Sequence, residues 1–130
     1  MAHQVIIALG SNNRQNAHIQ WASQRMALLL EQASFSKVIW TKDVKGSEHL
    51  YMNRLVAGYT ELAVDDIEQL LKSYEAESHR TPDLITIDLD LMLYDRKRYH
   101  LRDWPRPYIS LLIPELPFTE EPLIGATKRK

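Results

Sequence analysis

Two aspartates, Asp88 and Asp90, lie in a mostly apolar run at residues 84–94. Successive side chains of a β-strand point to opposite faces, so a strand here would place both carboxylates on one face, about 7 Å apart at the backbone. Like charges among apolar side chains are costly to desolvate, and a divalent cation can hold them together. The run therefore indicates a metal site or, alternatively, a strand at a sheet margin whose aspartates meet solvent or arginines. The same alternation predicts that Thr86 and Met92 share the aspartate face, and that the other face holds Ile85, Ile87, Leu89, Leu91 and Leu93.

Composition limits the class of protein. The chain has 130 residues, which is enough for one domain with a buried core, and its net charge is −1. It has no cysteine, and this excludes thiolate chemistry and disulfides. The five histidines show no paired spacing typical of a zinc site. No signal peptide and no apolar run of about 20 residues is found. We expect a single cytoplasmic domain, residues 1–130, that binds neither nucleic acid nor membranes; the oligomeric state is left open.

The elements that would position the aspartates begin with residues 4–9, a continuously apolar run typical of a buried central strand. The serine and asparagines at residues 10–13 are expected to cap a helix whose apolar positions continue to Ala33. Residues 36–41 and about 51–62 have strand composition, and their short separation favours pairing.

A second amphipathic helix is predicted at residues 64–75, with aspartates in its first turn. After the aspartate strand we expect a charged turn at residues 95–98, a small edge strand at residues 99–101, a short helix at residues 108–113 and an irregular tail at about 118–130. The order strand, helix, strand, strand, helix, strand predicts an α+β fold. We expect a ferredoxin-like sandwich, with a mostly antiparallel sheet and helices packed on one face.

Three short motifs occur in order along the chain: Ala-Leu-Gly-Ser-Asn at residues 8–12, Tyr-Met-Asn at 51–53 and Asp-Leu-Asp-Leu-Met-Leu-Tyr at 88–94. Together they resemble the 6-hydroxymethyl-7,8-dihydropterin pyrophosphokinases of folate biosynthesis, over about the first hundred residues. The resemblance implies a ferredoxin-like fold and transfer of pyrophosphate from ATP to the pterin hydroxymethyl group, with release of AMP and use of two magnesium ions. It also implies that Asp88 and Asp90 are the magnesium ligands.

The resemblance assigns the pterin side of the site as well. Asn53 would bind the pterin, because its amide offers both a donor and an acceptor to the edge of the heterocycle. Tyr51 would pack against the ring, although an ordinary core aromatic is the alternative. Thr41 and Gly46 lie where the family's pterin-contacting loop is found, but Lys42 replaces the proline that follows the threonine.

On the nucleotide side, Glu75 and Arg80 resemble a glutamate and an arginine of the family, and Arg106 corresponds to its late phosphate-binding arginine. Arg80 and Arg106 are therefore the expected catalytic residues, and Glu75 and Arg106 the expected nucleotide-binding residues. Arginine suits this role because its planar, permanently charged fork matches phosphate oxygens. The alternative for all three is a solvated surface charge.

One departure from the family concerns the interval before the aspartate strand. The family has a longer loop there, with arginines and a tryptophan, whereas this chain has only residues 81–87, and Ile85 stands where an arginine would be. The family's histidine after the strand has no clear counterpart. Two alternatives follow: a catalytically weak or inactive relative that binds pterin or nucleotide or acts as an interaction domain, and a domain that shares only the fold.

Overall fold

The structure is a computed structural model that describes residues 2–43, 46 and 48–117. The expected tail at about 118–130 lies outside the described residues. The elements in chain order are strand β1 (His3–Ser11), helix α1 (Gln15–Leu29), strands β2 (Glu31–Phe35), β3 (Ile39–Lys42) and β4 (Leu50–Thr60), helix α2 (Val64–Glu77), strands β5 (Asp88–Tyr94) and β6 (Lys97–Arg98), helix α3 (Pro107–Leu112) and a 3₁₀ turn (Ile113–Glu115).

The strands form one sheet in the order β2, β4, β1, β5, β6, and β3 pairs with β4 after β2 along the same edge. Every pairing among these strands is antiparallel. Each helical crossover skips one strand, so α1 leads from β1 to β2 across β4, and α2 leads from β4 to β5 across β1. The predicted α+β, ferredoxin-like fold and the central position of the first strand are confirmed.

Helices α1 and α2 cover one face of the sheet. Their buried positions repeat at three- and four-residue intervals, as a helix packed along one side requires. This helix-side core contains Ile19, Ala22 and Met26 of α1, Ile67 and Leu71 of α2, and Val5, Ile7 and Leu9 of β1. Packing against this core requires apolar residues at helical spacing, and that spacing in the sequence predicted both helices.

The opposite face of the sheet is covered by α3 and the residues before it. Ile109 and Leu112 of α3 and Trp104 pack with Ile6 of β1 and Leu55 of β4 in a second core. The helices of the two predicted βαβ halves, α1 and α2, do lie on one face, whereas the sequence did not predict that the third helix covers the other. A helix of six residues is too short for its apolar periodicity to show which face it covers.

The polar turn after β1 does not cap α1 as expected. The helix begins at Gln15 after Arg14, which has a left-handed φ of 47° and makes no side-chain cap bond. The neighbouring polar groups have other partners: the Ser11 hydroxyl donates to the carbonyl of Asn13, and Asn12 bonds to Ile85. The Ser/Asn cluster therefore forms hydrogen bonds within the turn and to the adjacent loop, and does not cap the helix.

Helix α1 also ends earlier than predicted. It stops at Leu29, and Ala33 lies in β2. Gln32 has a φ of 55°, a left-handed conformation that no helix continues through. Of the strand expected at residues 36–41, only residues 39–41 lie in a strand, β3, and residues 36–38 connect it to β2, which precedes the predicted range.

The aspartate strand contains a β-bulge that changes its alternation. Ile7 pairs with Leu91 but Ile6 pairs with Leu93, so Met92 is an extra residue. Leu89 and Leu91 lie in the helix-side core, whereas Met92 and Leu93 both lie in the core under α3. The prediction for Leu93 was wrong for this reason.

Two boundaries near β5 also differ from the prediction. The strand begins at Asp88, so Ile85 precedes it instead of occupying its far face, and the small edge strand is Lys97–Arg98, earlier than residues 99–101. The short helix with proline in its first turn is confirmed as α3. Among the described residues, no helix combines the length and the apolar character that crossing a membrane requires.

Candidate active site

A pocket of about 190 Å³ opens on the α3 face at one end of the sheet. Neighbouring strands are antiparallel, so β1 and β3 end where β4 and β5 begin, and side chains distant in sequence meet there. The strand residues that line the pocket include Gly10 of β1, Thr41 of β3, Tyr51 and Asn53 of β4, and Asp88 and Asp90 of β5. The topology therefore brings together the motifs that are separate in the sequence.

Gly10 lies at the centre of this row. It pairs with Asn53 on one side and with Asp88 on the other, so the amide and the carboxylate belong to strands about 10 Å apart. A Cβ atom at Gly10 would lie 3.3 Å from Asn53 Oδ1, closer than ordinary packing. The glycine therefore keeps the space between Asn53 and Asp88 open.

The predicted pterin-side residues Asn53 and Thr41 contact each other. Asn53 is buried, and its Nδ2 donates to Thr41 Oγ1 at 2.7 Å. This hydrogen bond holds the amide in the pocket wall, where Thr41 also lies. Gly46, in contrast, is exposed, has a φ of 86° and is not part of the pocket lining.

Two tyrosines line the same pocket from different elements. Tyr51 comes from β4, and Tyr108 comes from α3. Burial, followed by the charge of Asp43, raises the pKa of the Tyr51 hydroxyl. Burial, followed by the charge of Asp103, raises the pKa of Tyr108 to about 12. Both are therefore neutral aromatic surfaces over the physiological pH range.

On the other side of the pocket, Arg80 bridges two carboxylates. Its Nη1 lies 3.0 Å from Glu75 Oε1 and 3.1 Å from Asp88 Oδ1. Glu75 does not line the pocket; its Oε2 accepts a hydrogen bond of 2.8 Å from the backbone N–H of Leu89. Burial, together with the nearby charge of Asp88, raises the pKa of Glu75. Glu75 thus joins α2 to the start of β5 and orients Arg80.

Asp90 lies deeper and has more acidic neighbours. Burial raises its pKa to about 8, with further contributions from Asp88, Asp103 and Glu75. His100 Nε2 lies 3.7 Å from Asp90 Oδ1. Asp90, His100 and Asp103 each offer a ligand atom within 4.8 Å of the others.

Arg106 lies at the start of α3 and lines the pocket. Its Nε donates to Asp103 Oδ1 at 2.8 Å. Of the predicted site residues, Thr41, Tyr51, Asn53, Arg80, Asp88, Asp90 and Arg106 line the pocket, whereas Gly46 and Glu75 do not.

Sequence reasoning missed three residues beside the pocket: Tyr108, His100 and Asp103. Each reaches the site because the chain turns back after β5, through β6 and residues 101–106, to place α3 over the sheet. The available signal was weak: Tyr108 follows the predicted arginine Arg106 by two residues, and His100 and Asp103 precede that arginine by six and three residues.

The family model of 7,8-dihydro-6-hydroxymethylpterin-pyrophosphokinase (HPPK) matches residues 6–124. The chain belongs to the HPPK family. The match includes every strand that lines the pocket, as well as α3, and it confirms the resemblance seen in the three motifs. A comparison with curated proteins gave no significant match.

The HPPK family implies ATP and magnesium, and the donor set of the pocket fits such a cation. Four carboxylates, those of Glu75, Asp88, Asp90 and Asp103, are close together, and the two pocket arginines that neutralise them are already paired. Carboxylate oxygens are the ligands that Mg²⁺ prefers. Burial, together with the neighbouring carboxylates whose charge a divalent cation would offset, raises the pKa of Asp90 to about 8.

Proposed function

We propose that this protein transfers pyrophosphate from ATP to 6-hydroxymethyl-7,8-dihydropterin and releases AMP, with two magnesium ions. The observation that carries the proposal is the row Asn53, Gly10 and Asp88 across three paired strands. It places a group suited to a heterocycle and a group suited to a cation at opposite sides of one pocket.

The pterin would bind at the Asn53 side. The Asn53 amide can donate to and accept from the polar edge of the heterocycle, and Thr41 holds that amide in place. Tyr51 and Tyr108 supply aromatic surface for the planar ring, and Gly10 leaves room for it. The hydroxymethyl group would then point along the row toward Asp88.

The polyphosphate would bind at the aspartate side. Asp88 and Asp90 would hold the magnesium ions, with Asp103 and His100 close to Asp90. Magnesium supplies neutralisation of the charge on the phosphate oxygens and helps to orient the transferred group. In the reaction, the hydroxymethyl oxygen forms a bond to the β-phosphorus, the bond from that phosphorus to the oxygen retained by AMP breaks, and the hydroxyl proton is released to solvent.

Arg80 and Arg106 are the two arginines that line the pocket, and they would meet phosphate oxygens there. Both line the pocket, and both are paired with carboxylates, Arg80 with Glu75 and Asp88 and Arg106 with Asp103. Binding of a polyphosphate would give each guanidinium a further anionic partner. Their main contribution would be positioning and charge stabilisation.

A second candidate function is ligand binding with little turnover. The connection between α2 and β5, residues 78–87, contains one arginine, Arg80. Arginines that meet transition-state charge contribute roughly 10³–10⁵ in the rate of phosphoryl transfer. A pocket with few such groups can retain affinity while it loses rate.

The deciding experiment measures AMP release from ATP, magnesium and 6-hydroxymethyl-7,8-dihydropterin. We expect AMP above a protein-free control, and loss of turnover in Asp88→Ala but not in Asp83→Ala, because Asp83 is exposed and outside the pocket. Tight binding of both ligands in calorimetry without AMP would favour the second candidate. Absence of binding to either ligand would contradict both.

A further inference from the structure

Asn12 connects two walls of the pocket although it does not line the cavity itself. It follows β1 and is 7% exposed. Its backbone N–H donates to the Ile85 carbonyl at 2.9 Å, and its side-chain Oδ1 accepts from the Ile85 N–H at 2.8 Å. Its Nδ2 lies 3.4 Å from the Tyr51 hydroxyl, to which it donates.

The two residues that Asn12 contacts are both pocket walls. Ile85 belongs to the connection between α2 and β5, and Tyr51 belongs to β4. Ile85 lies outside any strand, so its buried N–H has no ladder partner and takes Asn12 Oδ1 instead. An unpaired buried N–H is unfavourable, so the Asn12 side chain holds Ile85 in place together with the backbone bond from the Asn12 N–H to the Ile85 carbonyl.

Two further anchors of this connection each join residues within it. The backbone N–H of Thr81 donates to the Leu84 carbonyl, and the Ser78 and Thr86 hydroxyls are 2.6 Å apart. Neither anchor fixes Ile85 relative to Tyr51. Asn12 is the residue described here that bonds to both.

We propose that Asn12 is a positioning residue that sets the width of the pterin half of the pocket by holding Ile85 and Tyr51 in fixed relation. This inference rests on the proposed function for the identity of the ligand. It assigns to Asn12 an effect on pterin affinity, and none on the nucleotide half, where Asp88, Asp90 and Arg106 lie.

The test compares Asn12→Ala with Asn16→Ala, a matched control at an exposed position of α1. We expect Asn12→Ala to weaken binding of 6-hydroxymethyl-7,8-dihydropterin roughly tenfold, the equivalent of one net hydrogen bond. The affinity for a non-hydrolysable ATP analogue with magnesium should stay within about twofold in both variants. Equal losses for the two ligands, or an unchanged pterin affinity, would overturn the proposal.

A ligand-free measurement separates this inference from the proposed function. Amide hydrogen exchange at Ile85 should be faster in Asn12→Ala than in Asn16→Ala, by about tenfold or more. The near-isosteric Asn12→Asp variant, which keeps the acceptor for the Ile85 N–H and loses the donor to Tyr51, should keep the slow exchange and provides the test if Asn12→Ala does not fold. Fast exchange at Ile85 in Asn12→Asp, or slow exchange in a folded Asn12→Ala, contradicts the tether. If the wild-type protein does not bind pterin, the proposed function is wrong, and the exchange measurement still decides the role of Asn12.

Discussion

Asp90 has an environment in which its charge is unfavourable without a bound cation. It is partly buried, and Asp88, Asp103 and Glu75 add negative charge around it. The folded protein therefore binds a proton at Asp90 at pH values where an unfolded chain, with a carboxyl pKa of about 3.9, does not. This residue links cation binding, protonation and folding stability.

We predict that Asp90→Asn stabilises the protein in metal-free buffer at pH 8. Because the folded pKa is raised to about 8, wild-type stability falls as the pH rises from about 4 to about 8, and the asparagine variant lacks this loss. The gain at pH 8 should be at least about 1.4 kcal/mol, the equivalent of one pKa unit. Urea unfolding at several pH values measures it, and exposed Asp83→Asn is the control; a gain independent of pH would contradict the prediction.

Among individual residues, the sequence predicted those site residues that lie within a recognisable strand motif. Asp88, Asp90 and Asn53 were found because they lie in motifs with fixed spacing, and they do line one pocket. Tyr108 and Asp103 were not found, because their place depends on how residues after β5 return over the sheet. No local pattern encodes that path.

The elements show a similar division between strong and weak patterns. Helix α2 and strands β1 and β4 were predicted nearly to their ends, because burial of one face gives the helix a regular apolar spacing and burial of both faces gives the two central strands apolar runs. Strand β2 was read as the end of α1, because Glu31 and Gln32 are exposed and are good helix formers. An edge strand with little burial leaves no alternation to detect.

The close contact between β4 and the junction of α1 with β2 leads to a prediction for Gly58. A Cβ atom there would lie 2.9 Å from Leu30 Cβ and 3.1 Å from the Glu31 carbonyl oxygen. Since the junction cannot move without disturbing β2, Gly58→Ala should lower the free energy of unfolding by about 1–3 kcal/mol. Chemical denaturation measures this loss.

Gly10→Ala is the matched comparison for Gly58→Ala. Its Cβ would meet the side-chain oxygen of Asn53 at 3.3 Å and a ring carbon of Tyr51 at 3.8 Å. Side chains yield more readily than backbone, so this variant should lose less than about 1 kcal/mol. Equal losses in the two variants would show that the Leu30 junction is not the rigid contact described here.

For the whole molecule, the sheet separates two cores of different character. The helix-side core lies under α1 and α2. The core under α3 continues into the pocket, because Ala8 belongs to that core and also lines the pocket. A ligand in the pocket would therefore lie against one face of the sheet, the face covered by α3. Its binding energy adds to the stability of the domain as a unit.

We predict that magnesium with a non-hydrolysable ATP analogue raises the free energy of unfolding by about 2.7 kcal/mol at a concentration of 100 Kd. Removal of magnesium with a chelator should abolish most of this gain, because the aspartates then repel the polyphosphate. Thermal unfolding with and without each component measures it. An equal gain in Asp88→Ala would exclude Asp88 as a cation ligand.

The bulge at Met92 makes this position differ from the rest of β5 in how well it tolerates the deletion of a residue. Deletion of Met92 would remove the extra residue opposite Ile6 and Ile7 and leave a regular ladder. Leu93 and Tyr94 would then keep both their partners in β1 and their faces, and the aspartates would keep their register. A one-residue insertion or deletion between Asp88 and Leu91 would instead turn part of the strand over, so the loss of a residue from β5 should be tolerated best at Met92.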